Sequence, residues 1–172
     1  MNAQPAWGPV LEASRRGDLP LLKVGMSPAQ IGDWFGGRQP VYLATPYSKE
    51  CTDMLGQWDY LLSCALGRRA EVAAKELMAH GVSAFAPIAL AVGMISASCH
   101  YRRRRSERGS FEPSLDPLDA AAWSRWCQPF LNVCGAVVVP DIPGWDHSVG
   151  IWAEVQFAIG RGIPVFVYGG GS

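Results

Sequence analysis

Gly135-Ala136-Val137-Val138-Val139-Pro140 contains no polar side chain, and this run limits the possible folds more than any other part of the chain. A strand with one wet face alternates apolar and polar residues, whereas a run without alternation is covered on both sides. Three other runs read as short strands: Val41 to Thr45, ended by Pro46; Val82 to Ala86, closed by Pro87; and Pro164 to Tyr168. Helical spacing fills the intervals between them. From about Trp58 to His80, Leu61, Leu62, Ala65, Leu66, Val72, Ala73, Leu77 and Met78 recur together, with Arg68, Arg69, Glu71, Lys75 and Glu76 mostly opposite. Gly81 caps that helix. Ile88 to Ser98 is ambiguous by periodicity and is read as a short buried helix. A helix from about Leu118 to Val133 carries Trp123, Trp126, Phe130 and Leu131, with a kink expected near Pro129. The last helix runs from Ser148 to Gly160.

Short apolar strands alternating with amphipathic helices define an α/β protein. Right-handed crossovers then favour a doubly wound, flavodoxin-like or Rossmann-like parallel sheet of four to five strands with helices on both faces. The domain is read as residues 41–172. Residues 1–40 are read as an N-terminal extension, punctuated by Pro5, Gly8, Pro9, Gly17 and Pro20. Within it, Ser27-Pro28-Ala29-Gln30 predicts an N-cap, proline at the first position and a short helix through Phe35, stopped at Gly36-Gly37. The extension is expected to pack on the domain or on a partner subunit. Tyr101 to Pro117, rich in Arg, Ser and Pro, is expected to be a mobile loop.

With 172 residues, 49% of them hydrophobic, the chain is long enough for one domain with its own core. Fifteen basic side chains balance fifteen acidic ones, which argues against a dedicated nucleic-acid binder or a polybasic membrane protein. Ala84 to Cys99, the longest mostly apolar stretch, falls short of the roughly 18 to 20 residues that span a bilayer. No basic segment followed by an apolar run marks a signal peptide at the N-terminus. The cysteines, Cys51, Cys64, Cys99, Cys127 and Cys134, are odd in number and lack CxxC spacing. Neither a disulfide framework nor structural zinc is expected, and a cytoplasmic location is. No metal or redox cofactor is expected.

In a doubly wound sheet, ligands sit beyond the carboxyl ends of the strands. That selects three loops: Thr45 to Asp53, which includes Tyr47 and Ser48; Pro87 onward; and Asp141 to Ser148. The third leads into Ser148-Val149-Gly150-Ile151-Trp152-Ala153-Glu154. Ser148 is a good N-cap, Gly150 lets a ligand or backbone come close, and the free amides of a helix start attract an anion. Glu154 stands among Ile151, Trp152, Val155, Phe157 and Ala158. A carboxylate on so apolar a helix is paired, faces a cleft, or occupies the one wet face. The residue types leave those readings open. Trp123, Trp126, Trp145 and Trp152 read mostly as core, with Trp145 the best candidate among them to stack on a flat ligand. His147 reads as an exposed loop histidine, with a proton donor as the functional alternative. Arg102-Arg103-Arg104-Arg105 reads as a solvated loop, with a phosphate-clamping lid as the functional alternative.

Tyr42-Leu43-Ala44-Thr45 and Ser148-Val149-Gly150-Ile151-Trp152-Ala153-Glu154, in this order on this layout, resemble the nucleoside 2-deoxyribosyltransferase-like superfamily, which includes 2'-deoxynucleoside 5'-monophosphate N-hydrolases. The closing turn, Ala158-Ile159-Gly160-Arg161-Gly162-Ile163-Pro164-Val165, is similar too, so the resemblance spans roughly Val41 to Tyr168. More narrowly, Tyr42-Leu43-Ala44-Thr45-Pro46-Tyr47-Ser48, together with Pro143-Gly144-Trp145-Asp146 and Ser148, resembles a bacterial and phage branch, the DUF1937 family. The resemblance implies cleavage or transfer of an N-glycosidic bond on a (deoxy)nucleoside or nucleoside 5'-monophosphate, with Glu154 as nucleophile and Tyr42 orienting it. Serine at position 148, where transferases carry aspartate, implies a 5'-phosphate. Thr45, Tyr47, Ser48, Gly150, Asp141, Trp145 and Asp146 are the other implied substrate contacts.

The chain departs from the pattern at Thr45-Pro46, where the family has glycine, and at bulky Trp152. The aspartate that related enzymes hold near the leaving base falls here around Cys127 or Gln128, and Asp116, Asp119, Asp141 and Asp146 stay open as substitutes. The implied assembly is a homodimer or higher homo-oligomer. A nucleotide-binding or sensing module without turnover, and a nicotinamide-nucleotide glycohydrolase, remain as alternatives; a dinucleotide-dependent enzyme is disfavoured because no GxGxxG follows the first strand.

Overall fold

A computed structural model describes residues 4–102 and 110–169. In chain order the helices are α1 (Trp7–Arg15), α2 (Pro28–Phe35), α3 (Tyr60–Ala79), α4 (Pro87–Ser98), α5 (Ala120–Val133) and α6 (Val149–Gly160). The strands are β1 (Leu22–Met26), β2 (Val41–Leu43), β3 (Ala84–Phe85), β4 (His100–Arg102), β5 (Ser110–Glu112), β6 (Ala136–Val139) and β7 (Val165–Tyr168). Five of them form one sheet in the order β1-β7-β6-β2-β3, with every neighbouring pair parallel. The doubly wound α/β architecture expected from the strand and helix pattern is the one observed.

The register sorts side chains onto two faces. Tyr42 lies opposite Val137, and Val137 opposite Val165. These residues share a core with Leu131 of α5 and Ile151, Val155 and Ala158 of α6. Val41, Leu43, Val138 and Phe166 point the other way, onto Ile31 and Phe35 of α2 and Ala73 and Leu77 of α3. Both faces being covered explains why the strands carry no polar alternation. A third cluster joins α3 and α4 through Leu66, Val92 and Ile95, with Tyr47 and Cys51 from the loop after β2. Gly67 makes that approach possible, since a Cβ there would stand 2.9 Å from a Val92 methyl.

From β2 the chain crosses through α3, on one face, to β3; from β6 it crosses through α6, on the opposite face, to β7. Right-handed crossovers on opposite faces send the chain outward in opposite directions from the β2–β6 pair. The connections diverge there, leaving a crevice at the carboxyl ends of β2 and β6.

The first forty residues hold the expected helix at Pro28–Phe35, with Ser27 and Gln30 closing a reciprocal capping box. They also do something the sequence reading missed. Leu22–Met26 pairs in parallel with β7 as the edge strand of the sheet, and Trp7 on α1 is only 5% exposed in the core. Lys23 and Gly25 make this run look unlike a buried strand. An edge strand tolerates both, because it pairs on one side only. Of the polar segment Tyr101 to Pro117, the described part begins as a short antiparallel pairing of β4 with β5. The expectation of a mobile loop or arginine lid falls on Arg103, Arg104, Arg105 and Arg108, which lie outside the described residues.

Candidate active site

The crevice opens into a cleft of about 560 Å³, bounded by the loop after β2, the first turns of α4, one side of α5 and the start of α6. Tyr42, the middle residue of β2, is fully buried and donates a 2.5 Å hydrogen bond from its hydroxyl to Glu154 Oε1. Glu154 lies a turn and a half into α6 and lines the cleft. It reaches the cleft while protein surrounds the rest of its carboxyl group. Burial therefore pushes its pKa up to about 7, against the opposing effect of the Tyr42 hydrogen bond. Burial raises Tyr42 far above the ordinary tyrosine range, with the neighbouring Glu154 charge adding to it, so Tyr42 stays a proton donor in the pair. Cys127 of α5 stands beside both groups, its thiol pushed up by burial.

The amino end of α6 supplies a different chemistry. Ser148 Oγ accepts the Ile151 amide at 3.3 Å and keeps its own proton free to donate. Helix geometry leaves the Val149 and Gly150 amides without intrahelical acceptors. A Cβ on Gly150 would meet only Ser148 Oγ, at 3.8 Å, so the approach to these amides is open. Thr45 faces the same cleft. It is 8% exposed, and its hydroxyl has no hydrogen-bond partner among the described residues. A buried hydroxyl left unpaired costs about 1 to 3 kcal/mol, which a polar ligand would recover.

The two loops that flank this end hold each other in place. Gly144, in the loop after β6, has a φ of +91° and sits against the Glu50 carboxyl group, leaving no room for a Cβ. Tyr47 lines the cleft, while its hydroxyl pairs with Ser63 at 2.9 Å and accepts from Trp58 Nε1 at 3.2 Å. Ser48, beside it, is exposed at the cleft rim.

The structure thus brings together Tyr42, Thr45, Tyr47, Ser48, Ser148, Gly150 and Glu154. Three expected contacts lie elsewhere. Trp145 is packed against Trp7 with ring centroids 4.8 Å apart, and it is not among the residues that line the cleft. Trp7 inserts from α1 between Trp145 and Trp152, 5.0 Å from the latter. Asp146 is exposed and engaged with His147 Nδ1 at 2.7 Å. Asp141 borders a separate surface hollow of about 370 Å³ with Arg68, Arg69 and Tyr168. His147 does line the cleft. Glu50 falls in the loop after β2 that the sequence singles out, although not as a named contact, whereas Trp123 carries no local signal because the packing of α5 brings it to the cleft.

Among the described residues, no group of three or more His, Cys, Asp or Glu side chains is placed to hold a metal ion. No helix there is long and apolar enough to cross a membrane.

A doubly wound domain with a buried tyrosine–carboxylate pair beside a helix amino terminus, at the point where its crossovers diverge, defines the class of protein. Residues 39–170 match the family described as Domain of unknown function (DUF1937). The chain belongs to that family, whose span begins after β1 and α2 and takes in the whole cleft. No curated protein matches it.

Proposed function

We propose that this protein cleaves or transfers the N-glycosidic bond of a (deoxy)nucleoside or nucleoside 5'-monophosphate, with Glu154 as nucleophile. The observation that carries this reading is the Tyr42–Glu154 hydrogen bond at an open cleft. A nucleophilic carboxylate needs to be ionised, oriented and close to the sugar. Tyr42 orients one oxygen and leaves the other, Oε2, free to attack the anomeric carbon. A pKa near 7 leaves a substantial anionic fraction at neutral pH. The base departs with the electrons of the C–N bond as the Glu154–sugar ester forms. Water, or a second base, then takes the sugar from the ester, as in retaining glycoside cleavage.

The amino end of α6 favours a nucleotide over a free nucleoside. The Ser148 hydroxyl, the Val149 and Gly150 amides and the helix dipole together suit a 5'-phosphate. The unpaired Thr45 hydroxyl is available to a sugar or phosphate oxygen. Against the reading as a silent binding module stands the state of Glu154: among the described residues it has no ion-pair partner, and it lines the cleft. Assembly as a homodimer or larger homo-oligomer belongs to the same proposal. In support, α4 helps form the cleft yet exposes Leu90 and Met94. Light scattering after gel filtration reads the assembly directly.

The test of the activity is chromatographic detection of free base from a panel of nucleosides and deoxynucleoside monophosphates, beside Glu154→Ala. Release that depends on Glu154 supports the glycosidase reading. Thermal stabilisation by a nucleotide without any release supports the binding module instead.

A further inference from the structure

The cleft has two chemically different ends. Its other ionisable groups apart from Glu154 and Cys127, namely Lys49, Glu50, His147 and the engaged Tyr47, all come from the loops beside the amino end of α6. Across from them, α4 and α5 present Ile88, Ala91, Trp123, Cys127, Gln128 and Leu131. Among the described residues of this wall there is no carboxylate, histidine or lysine. The Cys127 thiol, raised by burial, is turned to the Tyr42 hydroxyl and Glu154. Trp123 is fixed in orientation: its indole N–H donates to the Asp116 carbonyl at 2.9 Å, and its ring meets Trp126 edge-on.

With a phosphate at the α6 end and the anomeric carbon at Glu154, the leaving base must lie against the α4–α5 wall. A neutral nucleoside expels its base most readily when that base is protonated as the bond breaks, and among the described residues this wall presents no carboxylate, histidine or lysine for the task. A glycoside already cationic at its glycosidic nitrogen needs none. An aromatic face and a carboxylate are also what a flat cation prefers as neighbours.

We propose that the substrates of this site are nucleotides whose base is a cationic heterocycle, of the pyridinium or N-alkylated purine kind, which leaves as a neutral molecule. This rests on the glycosidase reading above and narrows it. Glu154 forms a C–O bond to the anomeric carbon as the C–N bond breaks. The released electron pair cancels the positive charge on the ring, and no proton moves. Water then opens the ester, its hydroxyl going to the sugar and its proton to Glu154, which loses it to solvent. Each turnover by hydrolysis therefore releases one proton.

The experiment compares base release from nicotinamide mononucleotide and 7-methylguanosine 5'-monophosphate with release from guanosine and deoxyguanosine 5'-monophosphates, each corrected for spontaneous loss. The better cationic substrate is expected to exceed the better neutral one in kcat/KM by at least about tenfold, with proton release matching base release. Trp123→Leu should lower the cationic preference by raising KM. A ratio below that, with neutral nucleotides cleaved, overturns the cationic assignment and leaves the glycosidase reading intact. No release from these four overturns the cationic assignment, and silence across the wider panel of nucleosides and deoxynucleoside monophosphates overturns the glycosidase reading as well.

Discussion

Tyr42 and Glu154 stand 112 positions apart in the chain and share a 2.5 Å hydrogen bond at the mouth of the crevice between β2 and β6. The pairing follows from the topology. Tyr42 projects from β2 onto the face that α6 covers, and the helix returning from β6 carries Glu154 back over it. Because Glu154 pays for this position in lost hydration, its removal separates stability from function. In the unfolded chain it titrates near the ordinary 4.5, and in the fold at about 7. The folded state binds the proton more tightly, so this group opposes folding increasingly as pH rises from about 4.5 to about 7, by about 3 kcal/mol above that window. Glu154→Gln, which keeps an acceptor for Tyr42, is expected to melt several degrees higher than the native protein at about pH 8. The difference should vanish below about pH 4.5. Thermal melts across pH check it, and the same variant should lose base release by about a thousandfold or more.

Activity should rise with pH as the carboxylate ionises. Base release under kcat/KM conditions is expected to increase through a midpoint at about 7. Tyr42→Phe removes the hydrogen bond that favours the anion, so the midpoint should move upward and the plateau should fall by about tenfold to a hundredfold. A packing defect alone would lower the plateau without moving the midpoint.

Ser148 has two separable duties. Ser148→Ala removes a helix cap, at a cost of about 1 kcal/mol in a denaturant titration. It should also raise KM for a nucleoside monophosphate by about tenfold while leaving the matching nucleoside unchanged. Ser148→Asp restores the cap and is expected to repel the phosphate, so stability recovers and the nucleotide preference does not.

The segment before residue 39 lies outside the family match yet inside the fold. A chain beginning at residue 39 would expose the β7 edge and the cavity left by Trp7, between Trp145 and Trp152. It is expected to melt non-cooperatively or aggregate. In the full chain, Trp7→Ala should cost about 3 to 5 kcal/mol, read by circular dichroism on thermal and denaturant unfolding.

How far the sequence foretold this molecule depends on how many sides of each residue are covered. Val137-Val138-Val139 is buried on both faces, and its lack of alternation states as much. Glu154 was conspicuous because a carboxylate on an otherwise apolar helix needs a reason. Leu22–Met26 was illegible for the converse cause: an edge strand with Lys23 over the Trp34 ring and glycine at residue 25 lacks a strand's usual signature. The packing of Trp145 was illegible for the same reason, since Trp7, its neighbour, sits in that same unrecognised segment. Trp123 and Cys127 reach the cleft through the packing of α5, which no local spacing encodes.

The most direct test of Glu154 as nucleophile is to trap the sugar on it. A 2'-fluoro-arabino nucleoside 5'-monophosphate slows hydrolysis of the ester more than its formation, and intact-mass and peptide spectrometry then locate the adduct. The account predicts a gain of one fluorosugar phosphate per chain, on the peptide holding Glu154, and none in Glu154→Gln. Base release by the native protein that persists in Glu154→Gln, with no adduct in either, would contradict it.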